Sequence, residues 1–311
     1  MSALSQTMVP VFGLLALGYL AARVRLIGDG GVKGLVIFVF NFSIPALLLT
    51  SMARLDFPSE LEWGFLVAYY ASSLAVYGIG SLAGRFVFDR RLAEQAIFGM
   101  SASFSNTVLI GIPVVLTALG PEASLPMLLI IAFHSALFMP LTVALIAVGQ
   151  GGNGPVTRRI TAVFGDVLRN PIILGILMGA IVNLGDVDVW SGLAALLDFL
   201  ASAAVPCALF ALGASLVGLP PSGDLPPAVS LSALKLVAHP LLAGVIAGPL
   251  LGLDGPMFSV PIVLAAMPTG VNVYLFGARY EEAAGVAART VLLSTVGSVV
   301  TIWLVLTWIG A

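Results

Sequence analysis

Ser105-Asn106-Thr107-Val108-Leu109-Ile110-Gly111-Ile112-Pro113 is the stretch on which the reading of this chain turns. It lies inside an apolar run long enough to cross a bilayer, yet it carries three polar side chains, a glycine and a proline. Pro113 has no N–H, so the spacing predicts that the Leu109 carbonyl loses its helical partner and that the helix is broken there. An unpaired carbonyl costs several kcal/mol in hydrocarbon, so broken backbone survives only inside protein or beside a wet cavity. Met267-Pro268-Thr269-Gly270-Val271-Asn272 repeats the interruption in a second apolar run. Two interrupted helices at matching places in two halves of a chain point to a transporter's substrate site.

Composition sets the surroundings of these two stretches. The 311 residues are 59% hydrophobic and only 9% charged, against roughly 25% charged residues in soluble domains. The chain reads as an all-α integral membrane protein whose partner is the lipid bilayer. Ten apolar runs account for most of it: about 3–22, 32–51, 61–84, 93–118, 124–148, 171–185, 194–217, 228–252, 256–279 and 286–309. The turns between them carry glycine, proline and aspartate, as in Gly28-Asp29-Gly30-Gly31 and Leu253-Asp254-Gly255-Pro256. No linker or soluble domain fits in the remainder, and the longest connection, 149–170, is too short for one. A net charge of −2 argues against a nucleic-acid partner, and the lone Cys207 cannot form an internal disulfide. No basic segment precedes the first apolar run, so that run is expected to be retained as a span.

Lysine and arginine placement sets the orientation. Arg23, Arg25, Lys33, Arg85, Arg90, Arg91, Arg158, Arg159, Arg169, Arg279 and Arg289 all fall on one side of the ten-span count, with Arg54 alone on the other. Both termini are therefore expected outside. An internal repeat fits the same count: at an offset of 161, Pro10 matches Pro171, Gly18 matches Gly179 and Pro45 matches Pro206, and at 162 Thr107 matches Thr269. The halves read as a first five-helix repeat over 1–150, a short cytoplasmic connection over 151–170 and a second repeat over 171–311. An odd number of crossings per repeat forces the two into inverted orientation.

The candidate site residues cluster at the interruptions. Pro45 and Pro206 are placed to free the carbonyls of Asn41 and Ser202, though prolines also merely kink packed membrane helices. The fourth and ninth spans carry more, because each proline there is accompanied by glycine and an amide: Asn106, Thr107, Gly111 and Pro113 in one, Pro268, Thr269, Gly270 and Asn272 in the other. Half-helices starting after such breaks aim N–H groups of partial positive charge at the midplane, where an anion is the natural ligand. Lys235 lies in the eighth span about 10 Å deep at ~1.5 Å per residue, with His239 one turn on along the same face. A snorkelling anchor and a packing histidine are the plain readings of that pair; intramembrane ionisable residues are nevertheless functional candidates by default. His134 in the fifth span reads as a structural hydrogen bond to a neighbouring helix. No carboxylate falls at mid-depth, which disfavours strong Na⁺ coupling; proton coupling through His239 or His134 stays open. Enzymatic motifs are missing: there is no H-E-x-x-H and no P-loop, and no cofactor or metal site is read. The G-x-G-x-x-G string at Gly149, Gly151 and Gly154 follows a span and runs into Pro155, so it reads as a loop.

With these residues in view, the chain resembles the auxin efflux carrier family, which includes plant PIN carriers and bacterial malonate- or malate-type permeases. The resemblance is carried by residues 106–113, by residues 267–280, by Asn41-Phe42-Ser43-Ile44-Pro45 and by the helix of Lys235. It implies ten spans in inverted five-span repeats, crossing broken helices four and nine and an elevator-like movement. A scaffold of spans one, two, six and seven, often dimeric, and organic-anion transport are implied as well. Asn106, Pro113 and Pro268 would then form the crossover, with Lys235 as a supporting charge. The chain lacks the long cytoplasmic loop of plant PIN proteins and the mid-membrane aspartate of their third span, so the short bacterial permease form, in an inner membrane, suits it better. The expected function is secondary transport of a small organic anion, a mono- or dicarboxylate or auxin-like acid, by a homodimer. The rivals are a sodium-coupled symporter of bile-acid-transporter type and a channel or sensor.

Overall fold

The computed structural model describes residues 3–56, 62–151, 156–220 and 223–310. Among them every named element is helical. α1 (Ala3–Arg23) comes first, then α2 (Asp29–Phe38) and α3 (Ile44–Ala53), joined by the π turn Val39–Ser43. α4 (Gly64–Phe86) and α5 (Leu92–Ser103) follow, and the π turn Thr107–Gly111 leads into α6 (Ile112–Leu119). Then come α7 (Ser124–Gly149), α8 (Val156–Leu168), α9 (Pro171–Leu184) and α10 (Ser191–Leu216). The π turns Leu234–Ala238 and Ile246–Leu250 join α11 (Leu225–Ala233) and α12 (His239–Val245) into one run. α13 (Gly255–Ala266), α14 (Asn272–Tyr280) and α15 (Ala284–Ile309) close the chain.

Six described helical runs are long and apolar enough to cross a membrane, or seven if the bent pair Ile160–Leu168 and Pro171–Leu184 counts as one span. Met8–Arg23, Thr107–Leu119 and Gly255–Ala266 are shorter apolar helices. α8 occupies much of the short connection expected over 151–170. Gly154 and Pro155 of the glycine-rich string lie outside the described residues, whereas Gly149 ends α7 and Gly151 sits in a turn.

The prolines act differently from one another. Pro45, Pro113 and Pro240 each come two positions after a π turn. Ahead of two of them the widened bond is visible, Ile44 N–H reaching the Val39 carbonyl and His239 N–H the Leu234 carbonyl. The wide turn shifts the hydrogen-bond register by one residue just before a residue with no N–H to give, so the helix continues. Pro10, Pro140 and Pro206 sit inside uninterrupted helices. Pro206 therefore marks no break, and Pro45 has no twin there.

The chain forms two compact units, each drawn from three stretches. The first is Met1–Leu61, Val108–Ala132 and Asp166–Gly218; the second is Glu62–Thr107, Phe133–Gly165 and Leu219–Ala311. Both therefore take elements from both halves of the sequence.

In the first unit α1 packs along α10, and α3 along α9. Glycine lets these backbones meet: a Cβ on Gly18 would run into the Phe210 carbonyl, and one on Gly179 would stand 2.5 Å from the Leu49 carbonyl oxygen. Both members of the first contact, Gly18 and Phe210, differ from their counterparts Gly179 and Leu49 by 161 positions. The Asn183 amide donates to the carbonyls of Ala53 (2.9 Å) and Leu55 (2.7 Å), satisfying the open end of α3. Arg54 and Asp198 pair at 2.8 Å on the surface.

In the second unit α4 packs against α5, α12 and α13, and α15 runs along α11 and α14. Tyr77, Phe104, Phe138 and Val273 belong to one buried cluster there. Ion pairs close one end of this unit: Arg90 binds Asp224, and Arg91 reaches the buried Glu282 at 3.4 Å. Gln150 joins them with bonds to the Glu282 carboxylate and the Tyr280 carbonyl.

Candidate functional site

The break in the fourth span comes earlier than the proline predicts. α5 ends at Ser103 and helix resumes at Thr107, leaving Phe104, Ser105 and Asn106 extended; Pro113 follows a turn and a half later, inside the resumed helix. A distant partner causes this. Asn106 N–H donates to the Pro268 carbonyl (2.8 Å) and Gly270 N–H to the Phe104 carbonyl (2.9 Å), pairing Ser105 with Thr269 antiparallel. In the ninth span the proline does stand in the break, between the end of α13 at Ala266 and the start of α14 at Asn272. Each interrupted segment thus supplies the backbone partners that the other lost, which is how non-helical backbone is tolerated away from water.

Side chains complete the pairing. Thr269 Oγ1 donates to the Ser101 carbonyl (2.8 Å), and Thr269 N–H donates to Ser294 Oγ on α15 (3.1 Å). A Cβ on Gly270 would lie 3.0 Å from the Phe104 ring, which would have to give by a few tenths of an ångström. Asn106, Thr107 and Thr269 are all buried, at 7%, 3% and 0% exposure, while Asn272 at the head of α14 is half-buried. Around this pairing the hydroxyls of Ser101 and Ser105 and the Nε2 of His134 are buried without a hydrogen-bond partner. A buried polar atom in that condition costs about 1–3 kcal/mol, so three of them in one unit are a feature to be explained.

Lys235 belongs to the same unit and does not snorkel. It is fully buried, and its Nζ donates to the Ala265 carbonyl (2.5 Å) and to His239 Nδ1 (3.1 Å). Ala265 lies in the last turn of α13, where helical carbonyls go unpaired, so the lysine sits at the negative pole of that half-helix. The proton positions follow from the chain of bonds. Ser73 gives its hydroxyl proton to the Tyr69 carbonyl (2.7 Å) and so accepts from His239 Nε2 (2.8 Å), leaving Nδ1 to accept from Lys235. Among the described residues no carboxylate pairs with Lys235.

His134 makes the interhelical bond the sequence suggests, its Nδ1 lying 3.3 Å from the Tyr69 hydroxyl, and its ring stacks at 4.3 Å on Phe104. The structure thus brings Asn106, Thr107, Pro268, Thr269, Gly270, Lys235 and His239 into one unit. Gly111 and Pro113 are buried in the other, as parts of a helix that begins at the break. Asn41 and Pro45 belong to that other unit too: the Asn41 amide is exposed and bonds back to the Ile37 carbonyl (2.9 Å), and Pro45 is half-buried. Sequence reasoning missed Tyr69, Ser73, Ser101 and Ser294, ordinary span residues whose partners lie on other helices.

Comparison with known proteins adds an independent line. The model of a family described as membrane transport protein matches residues 3–306. The chain is 28% identical over 304 residues to a "Putative malonate transporter" of Rhizobium meliloti (strain 1021), covering 97% of this chain and 94% of that one. It is 26% identical over 303 residues to an uncharacterized transporter of Methanothermobacter thermautotrophicus, covering 96% of each. A 28% match over 218 residues to the lysosomal cholesterol signaling protein of Mus musculus covers 67% of this chain and 25% of that protein.

Proposed function

The chain belongs to the membrane transport protein family, and on that premise we propose that it is a secondary carrier of small organic anions, with di- and monocarboxylates as the substrate class. One observation carries the reading: two broken helices exchange backbone hydrogen bonds at Ser105 and Thr269, among buried polar groups and a lysine that has no acidic partner among the described residues. A carboxylate held at Asn106, Thr107, Thr269 and Asn272 meets N–H groups at the heads of two helices. The relative named for malonate transport fits that chemistry. Lys235 and His239 support the site from behind, since Lys235 already binds the end of α13.

The ten-span inverted repeat supplies the framework of this proposal. The contacts Gly18–Phe210 and Gly179–Leu49, related by one offset of 161, favour it. So does the way each compact unit draws on both halves. In this reading the unit that carries the break is the moving body of an elevator-like cycle, in a homodimer, with both termini outside.

Malonate added to the purified protein tests the reading. At about 100 times its dissociation constant a ligand adds ~2.7 kcal/mol to stability. Asn106→Ala is expected to stay folded and lose that shift, together with uptake into proteoliposomes. Unchanged malonate uptake by folded Asn106→Ala overturns the site. Uptake that follows an imposed pH gradient, against a Na⁺ gradient, identifies the coupling ion.

A further inference from the structure

α8 has a two-sided pattern that the transport site does not use. At 100° per residue, Ile160, Val163, Phe164, Val167 and Leu168 share one face and Asp166 falls on the other, and the sequence of this helix also carries Arg158 and Arg159. Arg169, exposed, extends that polar face just past the helix end. Protein covers only one edge of the apolar face: Val163 and Val167 are buried, whereas Phe164 is 42% and Leu168 62% exposed.

What adjoins the open edge follows from the next element. Pro171 starts α9 after a bend of 55°, and α9 is apolar from Pro171 to Leu184. Its 14 residues span about 21 Å, short of the roughly 30 Å of a hydrocarbon core. α9 alone therefore falls short of crossing such a core, and with the last turn of α8 set where acyl chains meet headgroups, an exposed phenylalanine and leucine have lipid to enter. The segment 156–169 carries three arginines against one aspartate, a positive balance that anionic headgroups attract.

We propose that α8 is an interfacial anchor, with Phe164 and Leu168 among the acyl chains, the exposed Arg169 against anionic phospholipid headgroups, and the arginine-rich charge of segment 156–169 drawing it to them. The division between the two compact units falls within it, between Gly165 and Asp166. The anchor thus holds at the membrane surface one of the five places where the chain passes between the units, whichever substrate is carried.

The experiment uses the full chain with Cys207→Ser, so that Phe164→Cys or Ala162→Cys can be labelled singly with a fluorophore in nanodiscs. Brominated lipid is expected to quench the label at 164 at least threefold more than at 162. That contrast should hold in discs rich in phosphatidylglycerol and shrink by half or more in pure phosphatidylcholine, or when Arg158, Arg159 and Arg169 are all replaced by glutamine. Equal quenching at 164 and 162, or greater access of iodide than of lipid to 164, overturns the anchor: the face is then covered by water or by protein. A contrast that is the same in both lipids overturns the anionic recognition. The lipid comparison needs no arginine substitution, so it stands even if the triple variant fails to fold.

Discussion

The two compact units solve the same problem, polar backbone in an apolar setting, in opposite ways. Where α1 meets α10 and α3 meets α9, the helices are continuous through the contact; glycine brings backbone against backbone there, and the Asn183 amide caps the open end of α3. Where α5 and α13 end, the helices stop, and the exposed carbonyls are satisfied by the other broken strand, by Thr269 and by Lys235. The first arrangement has one way to fit and resists change. The second holds replaceable hydrogen bonds, and a polar ligand is able to compete for them.

That contrast can be broken most severely at Gly179. Gly179→Leu puts carbon within 2.5 Å of the Leu49 carbonyl oxygen and 2.7 Å of Met52 Cβ. Overpacking of this kind costs about 3 kcal/mol or more; a large drop in melting temperature in detergent, with malonate uptake lost alongside, is the expected result. Gly179→Leu that melts like the parent would mean that the first unit tolerates separation of α3 from α9.

Lys235→Met sharpens the other side. It leaves the Ala265 carbonyl and His239 Nδ1 without their donor, costing about 1–3 kcal/mol for each acceptor left unpaired, and it also removes a buried polar amine, which offsets part of that. Stability should therefore change less than in Gly179→Leu, while malonate uptake falls at least tenfold, equivalent to about 1.4 kcal/mol. Thr269→Val is smaller still: the bond to the Ser101 carbonyl goes and the shape stays, for about 1 kcal/mol of stability and a measurable weakening of malonate-dependent stabilisation. Asn41→Ala should do least, within ±0.5 kcal/mol in a denaturation assay, because the amide is exposed and bonds only its own helix. A tenfold loss of transport in Asn41→Ala would bring that residue back into the site.

Much of the helical layout was legible because apolar runs and the glycine or proline turns between them set it directly. The positions of the breaks were not. Pro113 signals a disrupted helix, but a π turn absorbs its missing N–H, and the actual gap at Phe104–Asn106 is dictated by Pro268 and Gly270, far along the chain. Lys235 and His239 stood out as ionisable residues in an apolar run; Ser73 and Tyr69, which orient the histidine, look like any span residue until α4 is placed beside α12. α8 carries a readable signal, Ile160, Val163, Phe164, Val167 and Leu168 at helical spacing, in a segment too short and too charged to stand out as a span.

The π turn ahead of Pro45 has a consequence for how this helix is aimed. An extra residue in one turn advances everything after it by about 100° in azimuth. Deleting one residue from 39–43 would straighten the coil but swing Leu48 and Met52, now inward, toward the outside, and Leu49 away from Gly179. The insertion is thus a dial setting that fixes which stripe of α3 faces its neighbours.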